Sequence, residues 1–140
     1  MALLSLQGVT VAFGGPPVLD QADLAIERGW RFEAPVQRTG RRVLVIGSGP
    51  SGLSAAYHLA RLGHEVVVRD HGAEPGGMMR YGIPAYRLPR EVLDAEVERI
   101  RDLGVVFEQG HRVEDLGAEL RTGGFDAAFV AVGAHLSKRV

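Results

Sequence analysis

The feature that most constrains this chain is the stretch from residue 43 to 70, where a strand, a glycine turn, a helix and a second strand follow one another without a gap. Val43-Leu44-Val45-Ile46 is an uninterrupted apolar run, rich in β-branched residues, as in a parallel strand covered on both faces. Gly47-Ser48-Gly49-Pro50-Ser51-Gly52 follows at once. Leu53, Ala56, Tyr57 and Ala60 then recur at helical spacing, Pro50 suits a first helical turn and Gly63 supplies a stop, so the pattern predicts a helix near 50–62. Glu65-Val66-Val67-Val68-Arg69-Asp70 closes the unit as a second strand. A helical crossover between two such strands makes them parallel.

The chemistry of the turn depends on missing side chains. Gly47 permits the sharp bend, Gly49 lets a pyrophosphate approach the backbone, and Gly52 lets the helix pack on the strand. The helix N-terminus, with unpaired N–H groups and the positive end of the dipole, stabilises an anion without lysine or arginine. Ser48, Pro50 and Ser51 complete the loop. Asp70 ends the second strand, where a carboxylate accepts hydrogen bonds from both hydroxyls of an adenosine ribose and repels a 2′-phosphate. Arg69, its neighbour, is expected to point away from that ribose. A lone G-x-G-x-x-G is a weak signal, but here strand, helix, second strand and acid all fall where a dinucleotide needs them. A glycine turn serving packing alone would leave the fold prediction standing.

Beyond Gly76-Gly77 a glycine- and proline-bearing loop runs to Pro89. Leu93, Val97 and Ile100 mark one face of a further helix, ended by Gly104. Val105-Val106-Phe107 predicts a strand, Asp115 to Leu120 a short helical piece, and Asp126 to Val132 another buried strand. This alternation predicts an α/β fold, a three-layer Rossmann-like parallel sheet with right-handed crossovers and a ligand crevice beyond the strand carboxyl ends. Residues 1–29 read separately, as a short hairpin-like β extension with strands at about Ala2 to Ala12 and Val18 to Ile26 around Gly14-Gly15-Pro16-Pro17. A polar connector follows, so the predicted domains are 1–29 and 30–140.

Sixteen basic residues against seventeen acidic ones give a formal charge of −1, which recommends neither nucleic acid nor an anionic membrane as partner. With no cysteine there is no disulfide, no thiolate-held metal or cluster and no cysteine nucleophile, so redox chemistry needs a borrowed cofactor. Every apolar run is too short to span a membrane, and the start lacks a secretory n-region, which makes a cytoplasmic address the expectation. His58, His64, His71, His111 and His135 have no metal-ligand spacing, so no metal site is predicted. Ser48 and Ser51 do not form a nucleophile elbow, and no catalytic side chain is assigned.

Residues 38 to 53 closely resemble the flavin domain of the glutamate synthase small subunit and related NADPH-dependent oxidoreductases. Gly76-Gly77-Met78-Met79-Arg80-Tyr81-Gly82-Ile83-Pro84, followed by Tyr86-Arg87-Leu88-Pro89, resembles that family's second flavin motif, and residues 125–134 resemble the strand and turn that pass close to FAD. The resemblance covers about residues 30–139. It implies FAD as the bound dinucleotide, with Gly76, Gly77, Met78, Arg80, Val132 and Gly133 joining Gly47 to Gly52 and Asp70 around it. In such enzymes FAD accepts hydride from NADPH held on a second Rossmann domain, and that domain is expected to be missing here. Residues 2–29 are similar instead to the opening strands of ABC-F ATPases, where Phe13 would lie near adenine. The phosphate loop that should follow Gly29 is absent, which predicts a chimeric, misassembled or fused chain with its junction near Gly29 to Trp30.

Three readings therefore stand at the level of sequence. The first is a fragment binding the ADP half of FAD, catalytically incomplete alone, from a parent enzyme in which it is part of a subunit. The second is an NAD-binding module. The third is a non-catalytic scaffold that forms a homodimer through an apolar sheet edge.

Overall fold

The computed structural model of the protein describes the backbone of Ala2–Val11 and Leu19–Glu27, residue 35, and residues 37–134. The chain divides into two units, Met1–Arg31 and Phe32–Val140. In the first, β1 (Ala2–Val11) and β2 (Leu19–Glu27) pair antiparallel, with register shifts between Ala2 and Leu4, Leu6 and Val9, and Val9 and Val11. The turn proposed at Gly14 to Pro17, and Phe13 with it, lies outside the described residues.

The second unit is built on four parallel strands: β3 (Arg42–Ile46), β4 (Glu65–Asp70), β5 (Val106–Gln109) and β6 (Ala127–Val130), in the order β5-β4-β3-β6. Helices α1 (Pro50–Arg61) and α3 (Arg90–Asp102) connect β3 to β4 and β4 to β5, both crossovers moving the same way across the sheet. Right-handed connections therefore place both on one face. Leu53, Ala56 and Ala60 of α1 and Val97 and Ile100 of α3 accordingly share one core with Val45, Val66 and Val68. Helix α4 (Leu116–Gly123) leads from β5 back across β4 and β3 to β6, so the same rule sends it to the opposite face. There Leu120, Val113 and Phe125 pack on Leu44, Ile46 and Val67. The three layers expected from the alternating pattern are those of the structure.

Boundaries shifted where capping decides them. Asp115 is the N-cap of α4, its Oδ1 accepting from Ala118 N at 3.0 Å, and Gly124 closes the helix at φ +63, so α4 runs three residues past the predicted end. Strand β5 begins one residue later than expected and runs on to Gln109, while β6 is shorter at both ends and, contrary to the buried strand expected, mostly exposed, since among the described residues it is the edge of the sheet. Within the loop read as irregular, Met78–Tyr81 form a single helical turn, α2. Its backbone is pinned by Arg90, which donates to the carbonyls of Met79, Ile83 and Leu88.

Strand order reverses at β3, which has β4 on one side and β6 on the other. The crossover leaving β3 covers one face of the sheet and the one arriving at β6 covers the other, and such a reversal marks the carboxyl ends of these two strands as the place for a ligand crevice.

Candidate dinucleotide site

Three glycine-bearing turns converge on that crevice. The first, Gly47 to Gly52, is anchored by Gly47 N donating to Arg69 O at 2.8 Å. Gly47 takes φ +103, and a Cβ there would stand 2.3 Å from the carbonyl oxygen of Ala131, in the turn that follows β6. The second, at Gly76-Gly77, is tied down by Gly76 N donating to Ser48 O at 2.8 Å, and a Cβ on Gly77 would lie 2.8 Å from Gly49 Cα. Backbone thus touches backbone across all three turns. Gly52 is closest of all, since its Cβ would fall 1.8 Å from Gly47 O.

Gly49 differs from these neighbours: a Cβ there would meet nothing within 4 Å and its φ of −72 suits any L residue. The packing of the protein does not require glycine at this position, which opens toward the crevice. Gly49 is also the N-cap of α1, no side chain caps the helix and its first turn carries no acid. The N–H groups of Ser51 and Gly52 accordingly have no acceptor within the helix. The donor set and the open space fit a pyrophosphate.

Asp70 sits beside the turn with its side chain 12% exposed. Ser48 N and Ser48 Oγ donate to its Oδ2 at 2.6 and 2.7 Å, and Gly72 N donates to its Oδ1 at 2.7 Å. Burial pushes the Asp70 carboxyl up, but the Gly72 bond, both Ser48 bonds and the nearby His71 together hold it below the ordinary carboxylate value. A carboxyl depressed by folding contributes stability that is present above the unfolded value, near pH 4, and lost as pH falls through the folded one. Asp70→Asn is therefore expected to unfold at lower temperature than the parent at pH 7. The two melting curves should approach each other at pH 3, and a gap of constant size from pH 7 to pH 3 would contradict this role.

The remaining sequence-assigned residues divide. Gly77 and Gly76 lie against the first turn, Met78 is 63% exposed beside them, and Val132, 55% exposed, adjoins Gly47 from the β6 side with Gly133 next at φ +70. Arg80 is buried, and its guanidinium is taken by protein. Nε donates to Pro75 O at 2.6 Å, Nη1 pairs with Glu74 at 2.8 Å and Nη2 pairs with Asp94 of α3. Its visible work is to brace the Gly76 turn against α3. Arg69, as expected, leaves the site: it pairs with Glu108 and Glu119 on the α4 face, its guanidinium 5.4 Å from the Phe125 ring centroid. The contacts of Ser48 with Asp70 and Gly76 had no sequence signal, because they join segments distant in the chain.

Among the described residues no group of His, Asp and Glu is placed to hold a metal ion, and no helix is long and apolar enough to cross a membrane. His64 Nδ1 lies 2.8 Å from Thr39 Oγ1 and His111 Nε2 lies 3.2 Å from Glu119. His135 is outside the described residues.

Comparison with known proteins agrees with this geometry. The chain is 42% identical over 109 residues to the NADP(+)-dependent formate dehydrogenase subunit beta of Moorella thermoacetica, covering 77% of this chain and 15% of that protein. It is 40% identical over 118 residues to the glutamate synthase [NADPH] small chain of Mycobacterium tuberculosis H37Rv, covering 83% and 24%. Among solved structures, histamine dehydrogenase from Rhizobium sp. 4-9 superposes with a TM-score of 0.60 at 25% identity, over 79% of this chain and 16% of that one. The chain thus spans a quarter or less of each of these three proteins, and resembles the FAD- or NAD(P)-binding region of glutamate synthase small-chain-like flavin oxidoreductases. The family described as NAD(P)-binding Rossmann-like domain matches residues 45–120, more than half of the sequence, and the chain belongs to that family.

Proposed function

We propose that residues 37–134 bind the ADP half of FAD and serve as the flavin-dinucleotide module of an NAD(P)H-linked oxidoreductase, in which this region belongs to one subunit. The observation that carries the reading is the convergence of the three glycine turns on the uncapped N-terminus of α1, with Gly49 left open where Gly47, Gly52, Gly76 and Gly77 are each hemmed in. The relatives support it by being named as a small chain of glutamate synthase and as a subunit of formate dehydrogenase. The flavin supplies the redox chemistry when bound. This chain's residues seat the pyrophosphate on the first turn of α1, present the Asp70 carboxylate to a ribose, and close the crevice with Gly77 and the turn after β6. No side chain here is assigned to a catalytic step. Residues 1–29 form a separate extension that takes no part in the reading.

Titration of the folded protein with FAD, NADH and NADPH, followed by flavin fluorescence and by calorimetry, tests it. FAD should bind most tightly and NADPH, with its 2′-phosphate facing Asp70, most weakly. Preference for NADH over FAD would establish the NAD-module reading in its place. One observation favours self-association as a second property. Among the described residues β6 is an edge strand, and Phe129, Val130 and Val132 at it are 41%, 55% and 55% exposed. A monomer by light scattering at high concentration would remove that property without touching the first.

A further inference from the structure

Asp70 has too few open acceptor positions for the ligand it faces. A carboxylate offers about four lone-pair sites. Three are filled by Ser48 N, Ser48 Oγ and Gly72 N, and Oδ2 holds two of these bonds by itself. A ribose brings two adjacent hydroxyls, each a donor, so a second acceptor is needed.

The neighbouring strand holds a group without a partner. Gln109, the last residue of β5, is in register with Asp70 across the parallel pair. Phe107, two residues earlier, packs into the α1–α3 core with Val68, so the pleat puts Gln109 on the same sheet face as Asp70. Gln109 Oε1 and Nε2 are both buried and neither has a hydrogen-bond partner, the only such buried side-chain atoms among the described residues. Buried amides are ordinarily satisfied, so an orphan of this kind needs an explanation. Its surroundings are fixed: just beyond it Gly110 N donates to Gly72 O at 2.9 Å and His111 N to Asp70 O at 2.8 Å, which fastens the end of β5 to the loop that carries the carboxylate.

We infer that Gln109 is a second ribose ligand of this site: its side-chain oxygen accepts the hydroxyl that Asp70 has no position to receive, and its NH2 group donates to the adenosine. As the last residue of β5, in register with Asp70, Gln109 stands at the carboxyl edge of the sheet. The inference rests on the proposed binding of FAD and adds to it a residue that neither the glycine motifs nor the acid at the end of β4 specify.

The test compares the parent with Gln109→Leu and Gln109→Met, apolar side chains of similar bulk, against FAD and against FAD analogues lacking the 2′- or the 3′-hydroxyl of the adenosine ribose. Both variants remove an orphan donor and acceptor, so each should unfold at or above the parent's temperature. Affinity for FAD should nevertheless fall about tenfold, and the penalty should shrink to less than about twofold against one of the two analogues. Parental FAD affinity in a stably folded Leu or Met variant would overturn the inference and leave the FAD reading intact. A penalty undiminished against both analogues would also overturn it, since a loss through packing ignores the hydroxyls. A parent that binds no FAD would overturn both.

Discussion

Gly49→Val is expected to yield a folded protein that has lost its dinucleotide. Apart from its chain neighbours, nothing lies within 4 Å of a Cβ at this position and its backbone angles suit valine, so a Cβ meets open space and strains no backbone. The cost to the free protein is that of a poorer N-cap, about 1 kcal/mol or less. In the complex, the added methyl groups occupy the space through which a pyrophosphate reaches the first turn of α1. Affinity for FAD should fall by on the order of 100-fold, equivalent to about 2.8 kcal/mol, with Gly49→Ala between valine and the parent. Thermal unfolding read beside the FAD titration separates the two effects. A valine variant that binds FAD like the parent would show that the ligand does not pass over this turn.

Gly52→Ala should do the opposite, damaging the protein whether or not a ligand is present. Its Cβ would stand 1.8 Å from Gly47 O and 2.9 Å from Gly47 C, and both are backbone atoms with no rotamer to yield. Either α1 lifts from β3 or the turn opens, and each breaks the contacts of Leu53 and Ala56 with Val45. We expect a loss of about 3 kcal/mol, which for a unit of this size is a fall of roughly 10–20 °C in melting temperature. A melting temperature within a few degrees of the parent's would mean that α1 and β3 are less closely joined than described. Two glycines of one motif thus answer to different masters, one to the ligand and one to the fold.

Much of this fold is legible in the sequence. The apolar run at Val43, the helical spacing of Leu53, Ala56 and Ala60, and Asp70 at the close of the second strand are local signals, and local signals specify β3, α1 and β4 with little error. Strand order was not among them: handedness assigns each crossover to a face only once the order β5-β4-β3-β6 is known. What the sequence did not carry was the meeting of segments far apart in it. Nothing in Gly76-Gly77 announces that it rests on Gly49, and nothing in Ala131 announces that its carbonyl fills the space beside Gly47. Arg80 illustrates the limit from the other side: its place within a flavin-like motif suggested a cofactor contact, whereas its buried guanidinium is engaged by Pro75, Glu74 and Asp94. Gln109 lies in no motif at all and became visible only through the partners it lacks.

The contact between Gly47 and the Ala131 carbonyl joins the first strand of the parallel sheet to the last one made. The proposed phosphate seat is therefore complete only when β6 has docked on β3, a contact of long sequence separation, the kind whose closure slows folding. It is also reversible in the same place. Among the described residues β6 is an edge strand with little of it buried, and an element with few buried contacts opens ahead of the rest in native-state exchange, so each opening would dissolve one wall of the seat. A bound dinucleotide would hold that wall shut, so the amides of residues 127–131 should be where ligand slows hydrogen exchange most.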